Sequence, residues 1–215
     1  MVYTIEKLII PPIYKLWIRK MEGLENVPYD KPFIIAANHS SYYDTVLIGV
    51  IIIPKIDKKI HALVNSYYWK NFITKFFLDR WEAIQVFVEK EKKFKEKNKE
   101  AFKKAEMNLK KKEIVMIFPE GKRSPDGKLQ KAYTGIARLA LKSKTPVLPI
   151  GIIDANTVLP KGKIFPRFKK CEVKIGKLMN FDKYYNKKIN NKIAEEVTRQ
   201  IMKQIAKLTG QKYDY

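Results

Sequence analysis

Apolar positions along the chain follow two patterns that alternate from one end to the other. Short apolar runs bounded by turn residues are typical of buried strands, whereas apolar positions recurring every three or four residues are typical of helices. The first pattern predicts strands at residues 33–37, 60–64, 83–88, 113–118, 147–153 and 171–177. The second predicts helices at residues 43–53, 66–80, 89–112 and 132–141, and a last helix with apolar positions at Ile193, Val197, Ile201, Ile205 and Leu208 that ends at Gly210.

This alternation of strands and helices predicts a single α/β domain. We expect a mixed, mostly parallel sheet covered by helices on both faces. Ligands in such folds bind in loops beyond the strand ends. Two of these loops are rich in polar side chains, at residues 38–44 and 118–124.

The first twenty residues mix aromatic side chains such as Tyr14 and Trp17 with cations such as Lys15 and Arg19. This composition is typical of a segment that lies in a membrane interface. We therefore predict an amphipathic anchor at residues 1–20 and a folded domain at residues 21–215. The alternative is a helix that packs on the domain's own core. We expect no signal peptide and no spanning segment, because the longest apolar run, residues 46–53, is well short of the roughly 18 residues needed.

Composition narrows the class of protein. Of the 215 residues, 46% are hydrophobic and 12% aromatic, which is enough apolar material to exclude a disordered chain. The single cysteine, Cys171, excludes a disulfide framework, and we expect it to be structural.

Net charge indicates an anionic partner. Lys and Arg total 44 against 22 Asp and Glu, which gives a formal charge of +22. Nucleic acid, an anionic membrane surface and acidic proteins would all attract such a chain, although a dispersed and solvated lysine surface is an alternative. Lysine reads bases poorly, and no helix-turn-helix, zinc-finger or RNP motif is present. We therefore expect no specific nucleic-acid partner.

The loop after the first predicted strand holds the first candidate catalytic group. His39 lies five residues before Asp44, and Ser40 or Ser41 is predicted to cap the next helix. Asp44 would then lie in the first turn, within reach of the His39 ring. A carboxylate on one ring nitrogen leaves the other nitrogen as a base. The alternatives are an ordinary helix cap beside a surface histidine, and a triad in which one of the serines is the nucleophile.

The loop after residues 113–118 holds the second group, which consists of Pro119, Glu120, Gly121, Lys122, Arg123 and Ser124. The guanidinium fork of Arg123 suits a phosphate monoester, and Gly121 allows close backbone approach. Glu120 could hold Arg123 or accept a substrate hydroxyl. The alternative is an exposed charged turn.

The sequence predicts no metal site. The second histidine, His61, lies within an apolar strand and is expected to be a core or edge residue. No Cys-x-x-Cys or His-Glu-x-x-His pattern is present.

Together the two loops resemble the motifs of the glycerolipid acyltransferase family, which includes the 1-acyl-sn-glycerol-3-phosphate acyltransferases. The matching residues are Asn38-His39 with Asp44, and Phe118-Pro119-Glu120-Gly121 with Arg123-Ser124. The resemblance extends over about residues 21–180. It implies a glycerol-3-phosphate acyltransferase-like fold.

The resemblance also implies a reaction. His39 would be the general base, oriented by Asp44, on a hydroxyl that attacks an acyl thioester directly. The acceptor would be bound by the second loop, namely by Glu120, Gly121, Lys122, Arg123 and Ser124, with Asn38, Ser40 and Pro119 in support. The expected acceptor is of the lysophosphatidic acid type. Glycerol 3-phosphate, another lysolipid and a lipid hydrolase reaction are the alternatives.

The expected acyl donor is acyl-CoA or acyl-acyl-carrier protein, with no bound cofactor. We expect the protein to be peripheral or monotopic, on the cytoplasmic face of the cell membrane and against its anionic surface. The chain departs from the family in two places. Lys122 stands where Thr is common, and residues 83–88 lack the arginine of a further family block. Arg80 or Lys90 is predicted to replace that arginine.

Overall fold

A seven-stranded sheet forms the centre of the computed structural model, which describes residues 12, 14–88, 91–160, 163 and 165–215. The strands are β1 (Ile18–Glu22), β2 (Ile34–Ala37), β3 (Ile60–Asn65), β4 (Ile84–Val86), β5 (Ile114–Ile117), β6 (Val147–Ile153) and β7 (Cys171–Ile175). Their order across the sheet is β1-β7-β6-β2-β5-β3-β4. Neighbours run parallel except for the antiparallel pair β6 and β7. The mixed, mostly parallel sheet predicted from the sequence is confirmed.

Helices follow most strands. They are α1 (Tyr43–Ile56), α2 (Phe72–Arg80), α3 (Phe94–Lys110), α4 (Gly135–Ser143), α5 (Ala155–Val158), α6 (Asp182–Tyr185) and α7 (Asn191–Thr209). Short 3₁₀ turns lie at Leu24–Asn26 and Ser66–Lys70. None of the helices in the described ranges combines the length and apolar character that crossing a bilayer requires.

The two faces of the sheet carry separate cores, because successive strand residues point to opposite sides. In β2, Ile34 and Ala36 pack toward α3, α4 and α7, whereas Ile35 and Ala37 pack toward α1 and α5. All four β2 residues are buried, as is typical of a central parallel strand. Coverage on both faces confirms the predicted layering.

Several helix boundaries differ from the predictions, and α4, for example, spans Gly135–Ser143 where residues 132–141 were predicted. Asn71 divides predicted helix 66–80, because its side chain accepts hydrogen bonds from Ile73 N–H and Thr74 N–H and so starts α2. Helix α1 continues past Pro54 to Ile56, although proline removes one intrahelical donor, and Asp57 N–H donates to Ile53 O at its end. The start of predicted helix 89–112 partly lies outside the described residues, and α3 begins at Phe94.

Strand β1 crosses the boundary that the sequence predicts between the anchor and the folded domain. Residues 18–20 of the predicted anchor belong to β1, which pairs with β7. Tyr14 stacks on Tyr43 with ring centroids 5.2 Å apart, and Trp17 Nε1 donates to Arg167 O at 2.9 Å. Residues 1–11 and 13 of the predicted anchor lie outside the described residues.

Candidate active site

The two polar loops meet at the carboxyl ends of β2 and β5, which are neighbours in the sheet. Parallel neighbours end at the same edge, so the residues that follow them are brought together. Ser124 N–H donates to His39 O at 2.7 Å, and His39 N–H donates to Glu120 Oε1 at 3.0 Å. These bonds join loop 38–44 to loop 118–124.

His39 and Asp44 form a hydrogen-bonded pair. His39 Nδ1 lies 2.8 Å from Asp44 Oδ2. The imidazole also stacks on Phe118, with centroids 4.0 Å apart and an interplanar angle of 16°. These two contacts fix the ring and leave Nε2 as the nitrogen that can act as a base. The predicted pairing of His39 with Asp44 is therefore present in the structure.

Asp44 is fully buried and is held by the backbone before α1. Its Oδ2 accepts N–H hydrogen bonds from Ser40 and Ser41, both at 2.7 Å, while its buried Oδ1 has no partner in the part of the chain that the structure describes. The predicted capping serine is present in part, because Ser41 Oγ accepts from Tyr43 N–H at 3.2 Å. The N-cap position itself is Tyr42, one residue later than predicted, and the Asp44 carboxylate from the first turn accepts from the two N–H groups that precede it.

The supporting residues of the first loop are also buried. Asn38 extends the β2–β6 ladder with its side chain, donating to Ile152 O at 2.8 Å and accepting from Ile152 N–H at 2.7 Å. Ser41 Oγ donates to Leu159 O at 2.8 Å, and Ser40 Oγ is buried with no partner within the described ranges. Because neither hydroxyl is bonded to His39, the geometry does not favour the alternative of a serine nucleophile.

Glu120 connects both loops from a buried position. Its Oε1 accepts from His39 N–H, and its Oε2 accepts from Gln130 N–H at 2.8 Å. Burial raises the pKa of Glu120 to about 7, although these two N–H groups lower it. Within the described residues, the Glu120 oxygens are thus held by backbone groups and not by Arg123.

Arg123 lies against two tyrosines that the sequence did not single out. Its guanidinium carbon is 3.4 Å from the centre of the Tyr42 ring, and its Nη2 donates to Tyr68 Oη at 3.1 Å. Its Nη1 is buried and has no hydrogen-bond partner among the described residues. A buried, unpaired guanidinium nitrogen is costly unless a ligand satisfies it, and a phosphate oxygen suits its geometry. Tyr42 adjoins the predicted motif, but Tyr68 is 55 residues from Arg123, so only the fold reveals that contact.

The other residues of the second loop have different environments. Gly121 has φ +66°, and a Cβ there would lie 2.9 Å from the Tyr133 ring. Pro119 O accepts from Tyr133 N–H at 2.9 Å. Lys122 is exposed, whereas the buried Ser124 hydroxyl donates to Asp126 Oδ1 at 2.8 Å. The substrate-binding roles assigned to these residues remain predictions.

Arg80 is not brought to this site. It ends α2, which returns the chain toward the amino ends of the strands, and its charge acts on Lys59 just before β3. The polar loops lie at the opposite edge of the sheet. Lys90, the other predicted replacement, lies outside the described residues.

A separate cluster near the amino edge offers three possible metal ligands. His61, Glu82 and Glu113 place one ligand atom each within 4.8 Å of one another. His61 is fully buried, as predicted for a core residue. Its Nδ1 lies 3.0 Å from Glu82 O and its Nε2 contacts the Glu113 carboxylate, so both ring nitrogens already have partners. Glu82 also pairs with Lys59.

Comparisons with known proteins point to one family. The sequence model of the Acyltransferase family matches residues 18–153, which is more than half of the chain. A 1-acyl-sn-glycerol-3-phosphate acyltransferase from Bacillus subtilis is 31% identical over 146 residues, covering 67% of this chain and 69% of that protein. The chloroplastic enzyme BAT2 from Brassica napus is 28% identical over 157 residues, covering 70% of this chain.

The matched region spans only 41% of the length of the Brassica napus protein. Among solved structures, the 1-acyl-sn-glycerophosphate (LPA) acyltransferase PlsC from Thermotoga maritima superposes with a TM-score of 0.69. That match covers 97% of this chain and 81% of the other, at 24% identity. It confirms the expected fold.

Proposed function

Because the chain belongs to the Acyltransferase family, we propose that it transfers a fatty acyl group from a thioester to the hydroxyl of a lysophosphatidic-acid-type acceptor. The observation that carries this proposal is the His39–Asp44 pair, joined by backbone hydrogen bonds to the loop of Arg123. A base and an anion-binding group then lie on adjoining loops. The named activity of the Bacillus subtilis and Brassica napus relatives supports the same acceptor class.

The proposed reaction is a single displacement at the acyl carbon. His39 Nε2 takes the proton of the acceptor hydroxyl as its oxygen attacks the thioester carbonyl. The C–O bond of the ester forms, the C–S bond breaks, and the proton passes from Nε2 to the departing thiolate. Asp44 holds the ring through Nδ1 and stabilises the imidazolium that forms between these steps.

Arg123 is proposed to bind the acceptor phosphate. Tyr42 and Tyr68 hold its guanidinium in place, so that the unpaired Nη1 is oriented before a ligand arrives. A group held in this way loses little side-chain entropy on binding. Lys122 adds an exposed positive charge in the same loop.

The donor and the location belong to the same proposal. We propose acyl-CoA or acyl-acyl-carrier protein as the donor. We place the reaction in phospholipid biosynthesis on the cytoplasmic face of the cell membrane. The charge of +22 supports a donor that is phosphorylated or carried by an acidic protein, and an anionic membrane surface.

A competition assay tests the proposal. Purified protein receives a labelled acyl thioester together with lysophosphatidic acid, glycerol 3-phosphate and an uncharged lysolipid. The expected product is phosphatidic acid. Release of free fatty acid alone would contradict acyl transfer and indicate a hydrolase.

Arg123→Lys in the same assay tests how the acceptor is bound. Lysine keeps the charge but loses the two-pronged geometry and the tyrosine contacts. We expect the KM for lysophosphatidic acid to rise roughly 10-fold to 100-fold, with little change for the uncharged lysolipid. Equal effects on both acceptors would contradict a phosphate contact at Arg123.

A further inference from the structure

Helix α2 presents an apolar surface to solvent. None of its nine residues is buried. Phe72 is 80% exposed and Phe76 66% exposed. We define the aromatic surface as the five exposed side chains of this region, which are Tyr67, Phe72, Ile73, Phe76 and Phe77.

The aromatic surface lies mainly along one side of the helix. Phe72 and Phe76 are four residues apart, as are Ile73 and Phe77, so each pair stacks along the helix axis. Lys75 and Asp79 form an ion pair along the same helix, and Trp69 Nε1 donates to Asp79 Oδ1 at 2.8 Å. Both members of this ion pair are exposed, so charged side chains flank the apolar ones. A contiguous exposed apolar patch with a polar rim is typical of a binding surface.

The aromatic surface is continuous with the proposed phosphate site. The Tyr67 and Tyr68 rings meet edge to face at 5.7 Å, and Tyr68 Oη accepts from Arg123 at 3.1 Å. Tyr68 also packs against Tyr42, which covers the Arg123 guanidinium. A partner bound to the aromatic surface would therefore lie next to the place where the acceptor's phosphate is proposed to bind.

We infer that the aromatic surface docks on an anionic lipid bilayer, an inference that rests on the proposed lipid acceptor. Lys70 lies 5.5 Å from the Tyr67 ring centroid, and Lys75 lies on α2 itself. Aromatic side chains beside lysines are the composition that binds the interface of anionic membranes, since the rings enter the headgroup region and the cations stay with the phosphates. An acceptor lying in that interface has its phosphate at the level of Arg123.

The test is sedimentation of the full chain with vesicles of phosphatidylglycerol and phosphatidylcholine. Phe72→Gln with Phe76→Gln is expected to weaken vesicle binding by roughly 10-fold to 100-fold, because two aromatic rings no longer enter the interface. Phe72→Leu with Phe76→Leu should retain most of the binding. Tyr29→Gln with Met107→Gln is the matched control, since both side chains are exposed but lie outside the aromatic surface.

Turnover of a soluble short-chain acceptor without vesicles should be the same in wild type and in all three double variants. Vesicle binding needs no turnover, so its dependence on Phe72 and Phe76 would support the docking surface even if no acceptor were acylated. Wild-type binding by the Gln variant, or equal loss in the control pair, would overturn the inference. Unchanged vesicle binding with loss of a complex with acyl-carrier protein would overturn it in favour of a protein partner.

Discussion

Asp44 shows how a single carboxylate sets up the proposed chemistry. Its Oδ2 is hydrogen-bonded to His39 Nδ1 and accepts from two backbone N–H groups. The position of the carboxylate is therefore fixed before any substrate binds. The spacing of five residues between His39 and Asp44, taken together with the predicted start of the next helix, predicts this pair, because both residues belong to one local turn. The Arg123–Tyr68 contact was not predictable, because it depends on how β3 and β5 are placed side by side.

Removing the base tests the role of His39. A positioned general base typically contributes about 100-fold or more to the rate, so His39→Ala should lower kcat by at least that factor. Asp44→Asn should also lower kcat, because an amide stabilises the imidazolium less well. Steady-state kinetics with thermal unfolding of each variant checks both. Unchanged turnover in His39→Ala would contradict the assigned mechanism.

Glu120 is expected to make stability depend on pH. Its pKa is raised from 4.5 to about 7 in the fold, so the folded chain retains a proton that the unfolded chain releases. The retained proton stabilises the folded chain fully below about pH 4.5, and this stabilisation is lost as pH rises through about 7. The free energy of unfolding should fall by up to about 3 kcal/mol over this range. Urea unfolding at pH 5 and pH 8 should show a smaller difference for Glu120→Gln than for wild type. The same difference in both proteins would show that Glu120 does not titrate in this range.

At the scale of elements, α7 and β6 are packed so closely that a glycine is required between them. A Cβ at Gly151 would lie 2.7 Å from Leu208 Cβ and 3.1 Å from Thr209 Cγ2. The apolar spacing of residues 193–208 predicted α7 and its end at Gly210, which has φ +70°. It could not predict which strand α7 covers, because the pattern shows an apolar face but not its partner.

Strand β1 was missed because its residues alternate weakly and four of the five are exposed.

Gly151→Ala is expected to destabilise the protein by about 1–3 kcal/mol, since α7 must move to accept the added methyl group. Gly49→Ala is the matched control. Its added Cβ would meet only Ile53 Cδ1, at 3.7 Å, and alanine favours the helix there. Urea midpoints of both variants check this. A loss of stability at Gly49 equal to that at Gly151 would show that the α7 contact is not the cause.

For the whole molecule, the alternation of strands and helices predicted the layers but not the strand order. The antiparallel pairing of β7 with β6 depends on the long connection between them, and apolar patterns do not encode a direction. The charge of +22 is likewise a property of the entire chain. If the proposed function is correct, this charge attracts the protein to an anionic membrane surface, whereas Arg123 binds the phosphate of one acceptor molecule.

High salt is expected to affect docking to an anionic surface and turnover of the acceptor to different extents. Charges on a surface are screened over about 10 Å at 0.1 M salt and about 3 Å at 1 M, whereas partly buried contacts are screened much less. High salt should therefore weaken binding to anionic vesicles more than it slows turnover of a soluble short-chain acceptor. Parallel sedimentation and rate measurements test this. Equal losses in both would indicate that the surface charge does not serve docking.

The bonds between Asn38 and Ile152 also determine when the active site can form. They tie the loop of His39 to a strand that is synthesised 114 residues later. Ribosomes add roughly 5–20 residues per second, so about 6–23 s separate the two partners during translation. The loop of His39 therefore emerges long before the strand to which Asn38 is bonded. A nascent chain cannot have the His39 geometry of the finished protein until β6 has left the ribosome.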